Sequence, residues 1–484
     1  MKKNILRIIS FMIILTICLW QLNNIFAPKY GDGIYSVTKF YEQKNNSIDV
    51  LFLGSSHAFE NINTGTLWDE YGMASYIMGG SVQSLWNTYY YLEEALKTQH
   101  PKLIVLEAFS TTFIDNYLWD ANIIKNSFGL RWSSTKINAI KTSVPQELWW
   151  DYFLEYCQYH TRYKQIDKSD FLPNQDDRLY DNWKGFGCNM VTDPIAYQDM
   201  TGVTERMELL PKSEEYYRKI IELAQRNNIP IYIIIAPYGG ITEDDQKVFN
   251  KAADIAAEYN VPFTNYNLCI EKTNIDFLDD AADYEHLNYK GNQKYSAVLG
   301  KDIIEQFNIP DRRNDSNYES WEAHAKYIQE IIYNQAFRDC PDLSQLFSMI
   351  NNHNYLCFFS IDGQCDVSDS YTQEYLNALG IHNANSQGVW YNNVGQTIWN
   401  STTDKNDFYL DVNRHDIYLK SAGSNPAAHN IINIDNQEYK TIDDGINIVI
   451  FDTLTEKVVD SFGLNSNSNF VLVRKDDNEE EGEQ

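Results

Sequence analysis

Two rhythms of apolar and polar positions run along this chain, and the change between them falls near residue 350. Before it, short unbroken apolar runs are separated by stretches with helical spacing, the pattern of βαβ units around a parallel sheet. The runs are Asp49–Gly54 (DVLFLG), Ser75–Met78 (SYIM), Lys102–Phe109 (KLIVLEAF), Ile229–Tyr238 (IPIYIIIAPY) and Val261–Tyr266 (VPFTNY). The third is apolar without alternation, which predicts a strand covered on both faces. Leu85, Tyr89, Leu92 and Leu96 share one helical face between the second and third runs, and Tyr217, Ile220, Ile221 and Ala224 share another before the fourth. A further helix opens at Thr242 as N-cap, buries Val248, Ala252, Ile255, Ala256 and Tyr259, and ends at Asn260.

The alternation stalls between Thr111 and Pro211, a stretch rich in Trp and Tyr that is helical in patches and offers no strand. An insertion leaving a strand's C-terminal end lies on the side where such sheets bind ligands, so it reads either as a cap over a site or as a helical layer packed elsewhere. Polarity jumps at Asn308–Asn317, closing a first domain at about residue 312; a helical linker follows over 313–345. From 346 to 475 short β-like runs and Asn/Ser turns predict a smaller β-rich α+β domain, with a hairpin formed by Ile446–Phe451, a turn at Asp452–Glu456 and a return through Val458 and Val459. Residues 476–484 form an acidic, solvated tail.

At the other end, Ile5–Phe26 supplies roughly 33 Å of apolar helix, enough to cross a bilayer. Lys2, Lys3 and Arg7 precede it, which keeps the N-terminus cytoplasmic and puts the bulk of the chain outside a single-pass anchor spanning residues 1–30. A cleaved signal peptide is the competing reading, because the strongly apolar part is short; the lack of a small-x-small cleavage site favours the anchor.

Composition narrows the partners. Lys and Arg number 39 against 67 Asp and Glu, a formal charge of -28 that repels phosphate backbones and argues against nucleic acid. The 34 tyrosines suit surfaces that stack on sugars. None of the seven cysteines has metal-ligand spacing; Cys357 and Cys365 are near enough in sequence for a bridge, though scattered cysteines in a large chain are more often buried small hydrophobes.

The candidate chemistry begins where the first strand stops, at Gly54-Ser55-Ser56-His57. A hydroxyl there lies at the ligand-binding edge of a parallel sheet. The stretch Asp279–Ser296 (DDAADYEHLNYKGNQKYS) adds Asp283 and His286, spaced so that the carboxylate reaches the imidazole's second nitrogen, as a serine nucleophile's base requires. A purely structural alternative has Asp283 capping a short helix and His286 as a buried polar residue. A metal site made from Asp283, Glu285 and His286 is disfavoured by the want of a second histidine with ligand spacing, so neither metal nor cofactor is expected.

These blocks, with the glycine turn IMGGSVQS after the second strand, resemble the SGNH (GDSL-like) hydrolase superfamily over residues 45–310. The likeness is to its membrane-anchored, cell-surface branch, which includes the D-alanine transfer and alginate O-acetylation proteins. The resemblance implies a flavodoxin-like five-stranded parallel sheet, Ser56 as nucleophile, His286 as general base and Asp283 as its orienting carboxylate. It implies that the backbone N–H groups of Gly79 and Ser56 hold an oxyanion. The family's oxyanion asparagine after the third strand has no counterpart in LEAFST (Leu106–Thr111), a loss worth roughly 3 kcal/mol, and His57, His160 and Arg162 are the candidate substitutes. Residues 350–475 resemble the interleukin-like EMT inducer domain, which implies carbohydrate binding or docking; a spacer without a ligand is the plain alternative. The resulting expectation is a serine esterase or O-acyltransferase acting on acetyl-like groups of envelope polysaccharide, with a membrane-bound O-acyltransferase as donor partner. The contrasting one is a non-catalytic glycan-binding protein on the same scaffold.

Overall fold

A computed structural model describes residues 2–26, 32–164, 166, 184–363, 365–382, 384, 386–402, 404, 406–422, 429–466 and 469–474. The chain divides into two compact units, Met1–Ile328 and Gln329–Gln484, so the boundary falls inside the helix Glu319–Asp339, within the expected linker.

In the first unit the five apolar runs become strands β1 (Val50–Gly54), β2 (Ser75–Gly79), β3 (Leu103–Glu107), β4 (Ile231–Ile235) and β5 (Phe263–Asn265). They form one parallel sheet in the order β2-β1-β3-β4-β5, the order of flavodoxin-like doubly wound folds. Every residue of β1 to β4 is buried, because helices cover both faces and an unbroken apolar run has no solvent side to lose. Helix Pro211–Arg226 buries Tyr217, Ile220, Ile221 and Ala224 as its spacing predicts. Helix Glu243–Glu258 begins in a capping box between Thr242 and Asp245; Tyr259 caps its far end, half-buried, and Asn260 follows in the left-handed conformation.

The insertion divides in two. Its helices form a side layer: Ser134–Ser143 packs on Leu85–Ala95, Trp86 Nε1 donates to Ser143 Oγ at 3.1 Å, and Asn87 Nδ2 donates to the Asn126 carbonyl at 2.7 Å. A strap beginning at Lys184 runs along the ligand edge instead, with Ile77 N–H donating to Lys184 O, Gly187 N–H to Phe59 O, Asp193 N–H to Ala281 O and Ile195 N–H to Phe277 O. At the ligand edge, then, lie the strap and the end of the helix Asp120–Lys125, where Asn126 Nδ2 donates to Ser81 O at 2.9 Å; residues 165 and 167–183 of the insertion lie outside the described residues. The N-terminal helix Lys2–Phe26 is solvent-exposed along its apolar length, and Lys3–Leu22, at a mean hydropathy of 2.2, is long and apolar enough to cross a membrane.

The second unit holds two antiparallel sheets. Strands β6 (Tyr355–Asp362), β7 (Val389–Asn393), β8 (Gln396–Asn400), β13 (Gly445–Asp452), β14 (Lys457–Asn465) and β15 (Val471–Arg474) pair in the order β15-β14-β13-β6-β7-β8. Strands β9 (Asp407–Val412), β10 (His415–Lys420), β11 (Ile431–Ile434) and β12 (Gln437–Glu438) form the smaller sheet. The larger sheet is sandwiched. Alternate residues Tyr355, Cys357, Phe359 and Ile361 of β6 pack with Leu346 and Ile350 of the helix Leu343–Asn352 and Leu376 of the helix Ser370–Ala378, while Leu356 and Phe358 pack with Ile417, Leu419 and Ile432 of the smaller sheet. The predicted hairpin is β13–β14. Cys357 and Cys365 are both free and buried. The acidic tail lies outside the described residues.

Two-sided coverage makes β13 intolerant of truncation. Ile448→Ala is expected to cost about 2–5 kcal/mol, against about 0.5 kcal/mol or less for Ile398→Ala on the exposed β8. Hydrogen exchange of the β6 and β13 amides in the full chain checks this: protection should fall in the first variant only.

Candidate active site

Strand β1 ends at Gly54, where a side chain has no room: a Cβ would stand 2.9 Å from Glu107 O and 3.0 Å from Ala58 Cβ. The chain turns there into the short helix Ser56–Asn61, which puts half-buried Ser56 at its first position and buries Ser55 beneath it. Gly79, paired with Gly54 across the sheet, lies against the same turn, its absent Cβ 3.1 Å from Gly54 O and 3.3 Å from Ser55 O.

The segment carrying His286 is a tight turn closed by Ala282 N–H donating to His286 O at 2.9 Å. Asp283 Oδ1 accepts the backbone N–H groups of Glu285 at 2.7 Å and His286 at 2.9 Å, so one carboxylate shapes the turn and also faces the ring. Both Asp283 oxygens lie 2.9 Å from His286 Nδ1. Nδ1 therefore carries the proton and Nε2 the lone pair. Nε2 is buried without a hydrogen-bond partner. The turn is fastened to the Ser56 helix by Leu287 N–H donating to Asn61 Oδ1 at 2.8 Å. Ser56 and the Asp283–His286 pair thus occupy neighbouring segments of one edge, while no hydrogen bond joins Ser56 Oγ to Nε2.

Two acids that sequence reasoning missed, Glu60 and Glu107, join Glu285 around the pair. Glu60, one turn after Ser56, brings its carboxylate to 4.0 Å from His286 Nδ1. Glu107 closes β3 with its carboxyl fully buried, accepting from Phe109 N–H and Ala236 N–H at 3.3 Å. Burial pulls the His286 imidazole down, but the Asp283 hydrogen bond and the Glu60 and Glu285 carboxylates outweigh it and hold its pKa above the ordinary value. Burial raises Asp283, but bonds from His286 and the turn's N–H groups outweigh it, leaving the carboxyl low. Glu107 is pushed up to about 8 by burial, against the pull of its two backbone donors, so it holds its proton at neutral pH. An acid inside the otherwise apolar run LIVLE was the signal for it.

His57 is fully buried, its ring stacked on Phe109 at 3.5 Å, edge-on to Tyr238 at 4.9 Å and 5.4 Å from the His286 ring. Neither nitrogen has a hydrogen-bond partner, and burial followed by the nearby His286 keeps the ring neutral. Arg162 sits at the end of the N-terminal helix, where Nη1 donates to the carbonyls of Ile25 at 3.2 Å and Phe26 at 3.3 Å and so caps that helix. The His160 side chain lies outside what the structure describes. Folding also brings a second histidine beside His286: single ligand atoms of His57, Glu285 and His286 lie within 4.8 Å of one another. In comparisons with known proteins, no family model and no curated protein matches the chain.

Two outcomes follow from this geometry. Asn61→Ala, which leaves the Leu287 N–H buried and unpaired, is expected to lower stability by about 1–3 kcal/mol in a urea titration. Because the folded Glu107 pKa lies above the unfolded one, its contribution is complete below pH 4.5 and is lost progressively as pH rises toward about 8. Glu107→Gln should therefore gain on the wild type across that window, and a melting series from pH 4 to 9 would show the gap widening.

Proposed function

We propose that the first unit is a serine-dependent acyl-group enzyme of the SGNH type, anchored at the cell envelope by its N-terminal helix and acting on acyl groups, acetyl in kind, of surface polysaccharide. The observation that carries the reading is the Asp283–His286 pair, which leaves Nε2 buried and unpartnered on a turn that is tied through Leu287 and Asn61 to the helix Ser56 opens. Ser56 Oγ attacks the ester carbonyl while its proton passes to His286 Nε2; the tetrahedral species collapses, the ester C–O bond breaks, and the same proton leaves on the departing oxygen. A sugar hydroxyl or water then attacks the acyl-enzyme by the reverse proton path. Asp283 stabilises the imidazolium throughout.

Backbone N–H groups of Ser56 and Gly79 serve the oxyanion, and Glu107, protonated by its burial, adds no negative charge to the sheet edge. Ser56 and His286 draw into hydrogen-bond range when substrate fills the edge, as catalytic contacts often tighten only in the complex. Transfer to a sugar, with a membrane-bound O-acyltransferase supplying the acyl donor, is favoured over hydrolysis by the resemblance to the cell-surface branch. The second unit would supply glycan binding or docking.

The missing Ser56–His286 hydrogen bond also favours the alternative of a non-catalytic glycan binder. A fluorophosphonate probe and p-nitrophenyl acetate turnover by the full chain separate the two. The catalytic reading expects labelling at Ser56, abolished in Ser56→Ala, and a fall of about 10²–10⁴-fold in turnover for His286→Ala. Equal, unlabelled wild-type and Ser56→Ala proteins would falsify it. In a deletion strain the acyl content of surface glycan should fall for a transferase and rise for an esterase.

A further inference from the structure

We propose that His57, His286 and Glu285 form a binding site for one divalent transition-metal ion, with zinc the cation their chemistry suits. The starting point is an unexplained cost. His57 is fully buried with both ring nitrogens unpartnered, and the one ring nitrogen of His286 not committed to Asp283 is buried and unpartnered as well. Buried polar atoms without partners are rare and unfavourable unless something satisfies them. Here they converge, with one ligand atom from each imidazole and from Glu285 inside a 4.8 Å span.

A cation is the species that one nitrogen from each ring and a Glu285 oxygen can bind together. The carboxylates of Asp283, Glu60 and Glu285 flank His286, so the surroundings attract positive charge. The buried His57 is a neutral donor, and at His286 the Asp283 bond leaves Nε2 as the ring atom that gives up its proton to a metal ion. That last bond has a second meaning. A metal-bound histidine regularly gives its other ring N–H to a carboxylate, which fixes the tautomer and raises ligand basicity, and Asp283 stands in that position. His57 is held in place by the Phe109 stack, while Glu285 is exposed and free to swing in. Two histidines and one carboxylate make a zinc donor set that leaves a coordination position open. Bonds of about 2.0–2.2 Å require the ligand atoms to draw in from their present span, a movement the Glu285 side chain can supply.

Occupation has a functional consequence. Nε2 has one lone pair, so a bound ion and the Ser56 proton compete for it, and the metal-loaded protein should react slowly with the serine probe. Binding itself does not rest on the acyl-transfer reading.

The test uses the full chain in detergent, stripped with chelator and titrated with Co²⁺ by visible absorption and with Zn²⁺ by equilibrium dialysis. The expected result is one ion per chain, with affinity lowered at least tenfold in His286→Gln and Glu285→Gln and about 10–100-fold in Asp283→Asn, and unchanged in Ser56→Ala. His57→Gln should also lose the ion, and the Glu285 substitution, at an exposed position, keeps the test decisive should the buried one unfold the chain. Absence of saturable binding, or binding that survives both His286→Gln and Glu285→Gln, overturns the proposal. No labelling of Ser56 in metal-free protein would count against the acyl reading alone.

Discussion

The structure's chemistry hangs on one buried hydrogen bond, from the Leu287 N–H to Asn61 Oδ1, which joins residues 226 apart in sequence. One end belongs to the helix that starts at Ser56, the other to the turn that holds His286. Neither segment has much regular structure of its own: the helix is six residues long, and the turn is closed by Ala282 and His286. Short elements of this kind are marginal in isolation and take their position from tertiary contacts. Further ties reinforce it. Asn63 N–H donates to Ser296 Oγ at 2.7 Å, Asn63 Nδ2 to Asn292 Oδ1 at 3.1 Å, and Asn288 caps the helix Tyr289–Gln306 while reaching Thr192 on the strap. A seam of asparagines therefore aligns the two halves of the site.

Electrostatics then sets the character of that edge. Four acids and two imidazoles crowd one edge, from the fully buried Glu107 and His57 to the exposed Glu285, and the buried ones cannot all be charged at once. The arrangement resolves this by splitting their roles: Asp283 keeps its charge through three N–H donors, Glu107 keeps its proton, His57 stays neutral, and His286 is poised between. The same lone pair on His286 Nε2 accounts for both a proton-accepting and a metal-binding capacity, which is why the two readings meet at one atom.

Much of the scaffold was legible in the order of residues. Apolar runs located all five parallel strands to within a few residues, Thr242 announced its cap, and the β13–β14 hairpin followed from its turn. The Asp-x-x-His spacing foretold the 2.9 Å pair because it is a local property of one turn. What was illegible is what depends on distant segments meeting. Glu60 and His57 sit in a helix too short to show a period, and their bearing on His286 exists only once β1 and the 281–288 turn share an edge. The strap from Lys184 carries no apolar repeat, since its hydrogen bonds go to scattered partners rather than to a ladder. Pattern alone also left open where the insertion's helices would pack, because their apolar stripe fits any neighbouring helix equally well.

The sandwiched sheet of the second unit has a consequence for how this chain can diverge. A strand with one wet face accepts exchange at every second position, whereas β6 and β13 have no wet face, so each of their residues answers to one of two separate interiors. Drift is steered to the margins, to β8 and β9, whose outward rows meet water. Two lineages of this protein would keep the same spine while wearing different borders.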